Sequence, residues 1–211
     1  MPRRYASRSA AGEALAELVC AHAWHRPIVF GIARGGVPVA LPVARRLGAP
    51  LDVAVARKIG APGRPELGVG AVCASGPTYF DVAILTSLGL APEDLAATVE
   101  AERAEAVRRE ERYRARRESV TDRDVILVDD GLATGVTALA AIRQLRVQRP
   151  RRVAFASPVC AAQAVESVEA QADVVICARA PGRFASVGQW YANFRQTTDD
   201  EVIAALDSAP G

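Results

Sequence analysis

Asp129 and Asp130 stand side by side, after the apolar run Val125-Ile126-Leu127-Val128 and before Gly131-Leu132-Ala133-Thr134-Gly135-Val136-Thr137. Two adjacent carboxylates repel each other, so a folded protein keeps both ionised only beside compensating partners. Vicinal sugar hydroxyls, or a magnesium ion bridging to them, are natural partners. The residues that follow are small or hydroxylated. Such residues let backbone N–H groups close around a phosphate, and the next helix would point the positive end of its dipole there. An acid-terminated strand that caps a helix is the plain alternative for the pair alone. The whole string, set between strand and helix, favours a site for sugar and phosphate.

Three further groups carry the chemistry such a site needs. Ala33-Arg34-Gly35-Gly36 follows a buried strand, and it combines a planar guanidinium fork with glycines that admit close backbone approach. Arg57-Lys58 ends the next apolar segment and offers two cations, whose alternative is ordinary solvation. Gly60-Ala61-Pro62-Gly63-Arg64-Pro65-Glu66 is too rich in Gly and Pro for regular structure, and Glu66 is its one acid. Farther on, Trp190, Tyr191 and Phe194 could stack on a planar ligand, with core packing as the competing role.

The elements that must position these residues follow from hydrophobic period. Ser9 to Ala23 reads as a helix opened by Ser7 or Ser9, Pro27 to Ile32 as a buried strand, and Val37 to Leu47 as a helix. Leu51 to Ala56 is a second strand, and Gly68 to Ala74 with Thr78 to Leu85 form a strand pair beside the main sheet. Pro92 to Arg117 is one long charged helix. Strands at Asp124–Val128, Arg152–Val159 and Asp173–Ala178 alternate with helices at Gly135–Val147 and Ala161–Gln171. This alternation predicts an α/β fold, Rossmann-like, with a largely parallel sheet flanked by helices. A single domain is expected, with a core over about 27–180. A small hood would form from about 181–211 and part of the N-terminal segment.

Composition narrows the classes. Charged residues make up 24% and hydrophobic ones 50%, which argues against disorder. Net charge is +2, which gives no electrostatic case for nucleic acid or a membrane surface. No apolar stretch approaches the ~18 residues of a membrane span, and the basic start has no signal-peptide core, so a cytoplasmic protein is expected. Cys20, Cys73, Cys160 and Cys177 lack metal or redox spacing and read as small buried hydrophobes in a reducing compartment. His22 and His25 have no third ligand nearby and read as surface residues. The mixed Glu and Arg residues from Glu100 to Glu118 read as a solvated helix or subunit contact.

Val125 to Thr137 resembles the signature of the type I phosphoribosyltransferases: an apolar strand, two acids, two variable positions, then small residue-Thr-Gly-any-Thr. The resemblance implies binding of phosphoribosyl pyrophosphate (PRPP). Asp129 and Asp130 would hold the ribose hydroxyls and Mg2+, and Ala133, Thr134, Gly135, Val136 and Thr137 the 5′-phosphate. Arg34, Gly35, Gly36, Arg57 and Lys58 would grip pyrophosphate. Glu66, on a mobile loop, would manage the proton, and Trp190 and Tyr191 would select the acceptor. Hypoxanthine-guanine members carry an acid where this chain has Ala133, which argues against a 6-oxopurine handled in that way; adenine members carry Ala there. Arg57 to Gly70 and Val187 to Phe194 also resemble a bacterial subgroup of the family. The implied reaction transfers phosphoribosyl to a nitrogen acceptor, of nucleobase class, from a homodimer. A PRPP-binding regulator without turnover is the alternative.

Overall fold

The structure is a computed structural model that describes residues 4–113 and 119–210. Five strands form the central sheet: β1 (Ile28–Ile32), β2 (Leu51–Ala54), β6 (Asp124–Val128), β7 (Arg152–Ser157) and β8 (Val174–Cys177). Their order is β2-β1-β6-β7-β8, and every pairing is parallel. β1, β2 and β6 are buried at every position, as strands covered on both faces must be, with Asp52 and Asp124 buried among their apolar residues.

Helices cover both faces. α1 (Arg8–Cys20), α2 (Gly36–Leu47) and α7 (Asp199–Asp207) pack one side through Leu15, Val19, Val43 and Val202. α5 (Val136–Val147) and α6 (Ala162–Glu169) pack the other through Leu139, Ile142, Ala164 and Val168. Ser7 opens α1 by accepting the N–H of Ala10 at 3.2 Å. Thr198 and Glu201 form a reciprocal capping box at the start of α7.

The second, antiparallel sheet departs from expectation. Residues 56–61 form β3 and Arg64–Cys73 form β4, a hairpin, and Tyr79–Phe80 add a two-residue β5. The Gly- and Pro-rich stretch is therefore regular structure. Arg57 and Lys58 lie inside a strand instead of ending β2. Register shifts at Ile59/Gly60 and Gly60/Ala61 absorb the irregular residues, and bulges of this kind are where strands tolerate Pro and Gly. Of the strand expected at Thr78–Leu85, only Tyr79–Phe80 pairs with β4; Asp81 then caps a short helix, α3 (Val82–Leu88), by accepting the N–H of Ile84 at 3.0 Å. The long charged helix is a 3-10 turn at Pro92–Leu95 followed by α4 (Ala96–Tyr113); its expected remainder to Arg117 falls outside the described residues.

A further cluster joins the two ends of the described chain. Tyr5 pairs with Tyr191 as an isolated bridge, and Tyr5, Ala11, Val159, Trp190 and Tyr191 are buried together. The cysteines also differ from expectation. Cys160, just after β7, is joined to Cys177, the last residue of β8, as a disulfide with a Cα separation of 6.3 Å. β7 and β8 are neighbours in the sheet, which brings together two residues 17 positions apart. Cys20 and Cys73 remain free, and only Cys73 is buried. His22 and His25 are exposed at the end of α1, as expected. Among the described residues, no single helix is long and apolar enough to cross a membrane.

Candidate active site

β1 and β6 are adjacent, yet α2, which follows β1, and α5, which follows β6, pass to opposite faces of the sheet. Such a divergence opens a crevice at the carboxyl ends of the two strands, where ligands bind in α/β sheets. Both loops singled out from sequence end there. Their contact is close enough that only glycine fits. A Cβ on Gly36 would lie 2.5 Å from the carbonyl oxygen of Val128, and one on Gly35 would overlap the Asp130 carboxylate. The Ala33-Arg34-Gly35-Gly36 loop, whose Ala33–Arg34 peptide is cis, therefore lies directly against the acid pair.

Asp129 and Asp130 are held as a crowded pair. Oδ1 of Asp129 accepts the backbone N–H of Asp130 at 2.8 Å. Burial, and then the charge of Asp130, push the Asp129 carboxyl well above the usual carboxylate range; the Asp130 N–H and Arg8 work against this. Burial also raises Asp130, opposed by Arg8, whose Nε donates to Oδ2 at 2.7 Å. The Tyr191 hydroxyl donates to the carbonyl of Asp130 at 2.6 Å. Burial and the Asp130 charge raise that phenol, so it stays a donor.

After the acids, Ala133 and Thr134 are exposed, and Gly135 adopts φ +81 to turn the chain into α5. No side chain caps α5 and its first turn holds no acid, so the first N–H groups of the helix have no side-chain acceptor, beside the exposed Thr134 and the half-buried Thr137. A helix start of this kind favours a phosphate. Behind it, Leu132 is clamped: its N–H donates to Val159 and its carbonyl accepts from Ala161.

The remaining sequence-predicted residues are distributed around this centre. Arg34 pairs with Asp199 of α7 at 3.6 Å. Arg57 and Lys58 point to opposite sides of β3, as neighbours in a strand do. Arg57 bonds Glu102 of α4 at 2.7 Å, whereas Lys58 donates to the carbonyl of Glu66 at 3.0 Å. A Cβ on Gly68 would touch Lys58 at 2.9 Å and Val136 at 3.6 Å, so the Lys58 face of the hairpin lies over the start of α5. Glu66 is 99% exposed and, among the described residues, pairs only with Lys58, at 3.9 Å; it does not join the acid pair. Arg57, Lys58 and Glu66 line a separate cleft of about 440 Å³ with Thr98 and Glu102. Trp190 and Tyr191 are 6% and 2% exposed. Instead of presenting open faces for stacking, they fill the core of the terminal cluster, with Tyr191 against Tyr5 and Phe194.

The Pribosyltran domain family, described as the phosphoribosyl transferase domain, matches residues 5–189. The chain belongs to the phosphoribosyl transferase family. A Mycobacterium tuberculosis H37Rv protein, provisionally named a phosphoribosyl transferase, is 40% identical over 204 residues, 96% of this chain. The chain spans 46% of that relative, about half its length. The crystal structure of the TT1426 protein from Thermus thermophilus superposes with a TM-score of 0.82 at 40% identity, covering 99% of this chain and 100% of that one. The AQ2163 protein of Aquifex aeolicus, at 13% identity and a TM-score of 0.52 over 86% of this chain and 78% of its own, shares the fold. The span that matches the phosphoribosyl transferase family contains both loops and the hairpin, but it stops before Tyr191, Arg195 and Asp199.

Sequence reasoning missed three residues that the structure brings to the site. Asp199 accepts from the Tyr113 hydroxyl at 2.7 Å and pairs with Arg112 at 3.1 Å and with Arg34. In sequence, Asp199-Asp200-Glu201 reads simply as a helix start. Tyr113 has its phenol pushed up to about 12 by burial and by the bond to Asp199. Arg8 sits in the first turn of α1, where a cation opposes the helix dipole; that mismatch was the one available signal.

Proposed function

We propose that this chain is a phosphoribosyltransferase that moves the 5-phosphoribosyl group of PRPP to a nitrogen acceptor of the nucleobase class and releases pyrophosphate. The observation that carries the reading is the contact of Gly35 and Gly36 with the Asp129-Asp130 pair at the head of an uncapped helix. It supports reading these parts as a pyrophosphate-gripping loop, a ribose-binding acid pair and a phosphate cradle at the carboxyl ends of β1 and β6. In this reading Asp129 and Asp130 bind the ribose hydroxyls, and Ala133 to Thr137 hold the 5′-phosphate. Arg34, Gly35 and Gly36 hold pyrophosphate from one side, and Lys58 approaches from the hairpin.

The donor set fits magnesium. Among the described residues no group of three or more His, Cys, Asp or Glu could hold a metal by itself. Mg2+ is commonly bound by one or two carboxylates together with substrate phosphates, and Asp129 and Asp130 supply that share. When bound, magnesium would neutralise charge on the departing pyrophosphate.

In the reaction the acceptor nitrogen forms a bond to the anomeric carbon as the bond to the pyrophosphate oxygen breaks with its electron pair. Positive charge grows on the ribose ring, as in glycoside hydrolysis, beside two carboxylates placed to stabilise it. Arg34 and Lys58 stabilise the polyanion as it leaves. In this reading the proton of the acceptor would pass to Glu66, which requires the hairpin tip to move toward the acid pair, because the carboxylate stands fully exposed and apart from it.

The test is pyrophosphate release from PRPP and magnesium with a panel of nucleobases and amines. Release with one acceptor, lost in Asp129→Asn/Asp130→Asn, is the expected result and names the substrate. PRPP binding without release from any acceptor would replace catalysis with a regulatory role. No PRPP binding would remove the reading altogether.

A further inference from the structure

Arg8 belongs to none of the recognised motifs, yet it makes the most specific contacts to the acid pair. Its Nε donates to Asp130 Oδ2 at 2.7 Å, and Nη1 donates to the carbonyl of Arg195 at 2.7 Å. The guanidinium lies over the Phe194 ring, 4.0 Å from its centroid. The side chain is only 12% exposed. A cation so placed is costly unless it is closely paired and bonded, and the dipole of α1 adds to the cost. The arrangement is therefore a specific one: α1 supplies the charge, the segment at 194–195 supplies a flat ring and a carbonyl, and Asp130 receives the remaining donor.

Beside this contact, Gly35 closes on the same carboxylate oxygen; its added Cβ would also come within 3.1 Å of Arg8 Nε. The tyrosine at 191 fixes the backbone carbonyl of Asp130. Asp130 is thus held at its backbone carbonyl by Tyr191 and at its carboxylate by Gly35 and Arg8, with Oδ2 committed to Arg8.

We propose that Arg8 is a positioning residue for the ribose: it orients the Asp130 carboxylate so that Oδ1 meets the ribose hydroxyls, and it makes ribose affinity depend on α1 and on residues 194–195. This rests on the reading of Asp130 as a ribose-binding acid. A staple that merely held the terminal segments together would weaken every ligand of the site alike. A positioning role acts only on ligands that carry the sugar.

Calorimetric titrations with magnesium separate the two, using PRPP, ribose 5-phosphate and pyrophosphate as probes on the full chain. Arg8→Gln weakens PRPP and ribose 5-phosphate about tenfold or more, the scale of a lost charge-assisted hydrogen bond, while pyrophosphate stays within about twofold. Arg8→Lys keeps the charge without the planar fork and recovers part of the loss. Phe194→Leu removes only the stacked ring and gives a smaller loss of the same two ligands; should Arg8→Gln fail to fold, these two variants carry the test. PRPP affinity equal to or tighter than wild type in Arg8→Gln, or equal loss of all three ligands, overturns the role of Arg8. Failure of the wild-type chain to bind PRPP overturns the proposed function as well, so the two failures are distinct.

Discussion

Gly36→Ala tests the geometry on which the site reading depends. The new Cβ would stand 2.5 Å from the Val128 carbonyl oxygen, 3.1 Å from the Asp129 Cα and 3.3 Å from Asp129 Oδ1. Two of these neighbours are backbone, so no rotamer change relieves them. Ordinary contact begins at 3.4 Å, so the loop and the end of β6 must part by about 0.9 Å, a shift comparable to the ~1 Å misplacement that costs about 100-fold in rate. The cost in folding is that of modest overpacking, about 1–3 kcal/mol. We expect Gly36→Ala to fold, to melt a few degrees lower, and to lose about 100-fold in pyrophosphate release with weakened PRPP binding. Gly182→Ala is the control, because a Cβ there meets nothing within 4 Å. Turnover and melting of Gly36→Ala matching those of Gly182→Ala would refute the claim that the two loops close on one another.

Two further outcomes concern the frame. Asp124 is buried at the start of β6 and accepts from the His25 N–H at 2.9 Å, from Arg151 at 2.9 Å and from Arg152 at 2.7 Å. Burial opposes its ionisation, but these donors prevail and hold the carboxyl below its ordinary value. Its stabilisation is complete above the unfolded pKa of about 4 and is lost as pH falls through the lower folded value. Asp124→Asn should cost about 2–3 kcal/mol at neutral pH in urea unfolding, mostly through Arg152, since the half-exposed Arg151 is screened; a gap that did not narrow in acid would contradict this. Reduction of Cys160–Cys177 should lower stability by about 3 kcal/mol for a loop of this length. In denaturant without reductant, only Cys20 and Cys73 should react with a thiol reagent; reaction at Cys160 would rule out the bond.

The parts of the site that were legible in sequence are those in which local rules and global fold agree. Val125 to Val128 could be placed in a buried strand because four branched apolar residues leave few other options, and the acids then mark its carboxyl end. The hairpin was not legible, because its tolerance for Gly60 and Pro65 comes from a bulge: a Cβ on Gly60 would strike the Pro65 carbonyl at 2.6 Å, a contact that local propensity does not report. Trp190 and Tyr191 have the same composition whether they stack on a ligand or on Tyr5; only their partners decide, and Tyr5 lies at the other end of the chain. Arg8 and Asp199 act through contacts made across nearly the whole sequence, which no local pattern encodes. The disulfide follows from strand order, which the spacing of the cysteines did not contain.

The contacts of Tyr5 and α1 with the segment at 192–195 also have a consequence for the time course of folding. The Arg8–Arg195 bond spans 187 positions, and closing so long a loop is deferred until shorter-range structure has formed. The β1–β6–β7–β8 ladders can assemble without residues near 195, whereas the final placement of Asp130 cannot. On this ordering, backbone amides in β6 gain protection from hydrogen exchange early in refolding, and the Ala192 amide, which donates to Tyr5, gains it last. On the proposed reading of Asp130, a chain still emerging during synthesis would then hold its sheet before Asp130 was set to meet a ribose.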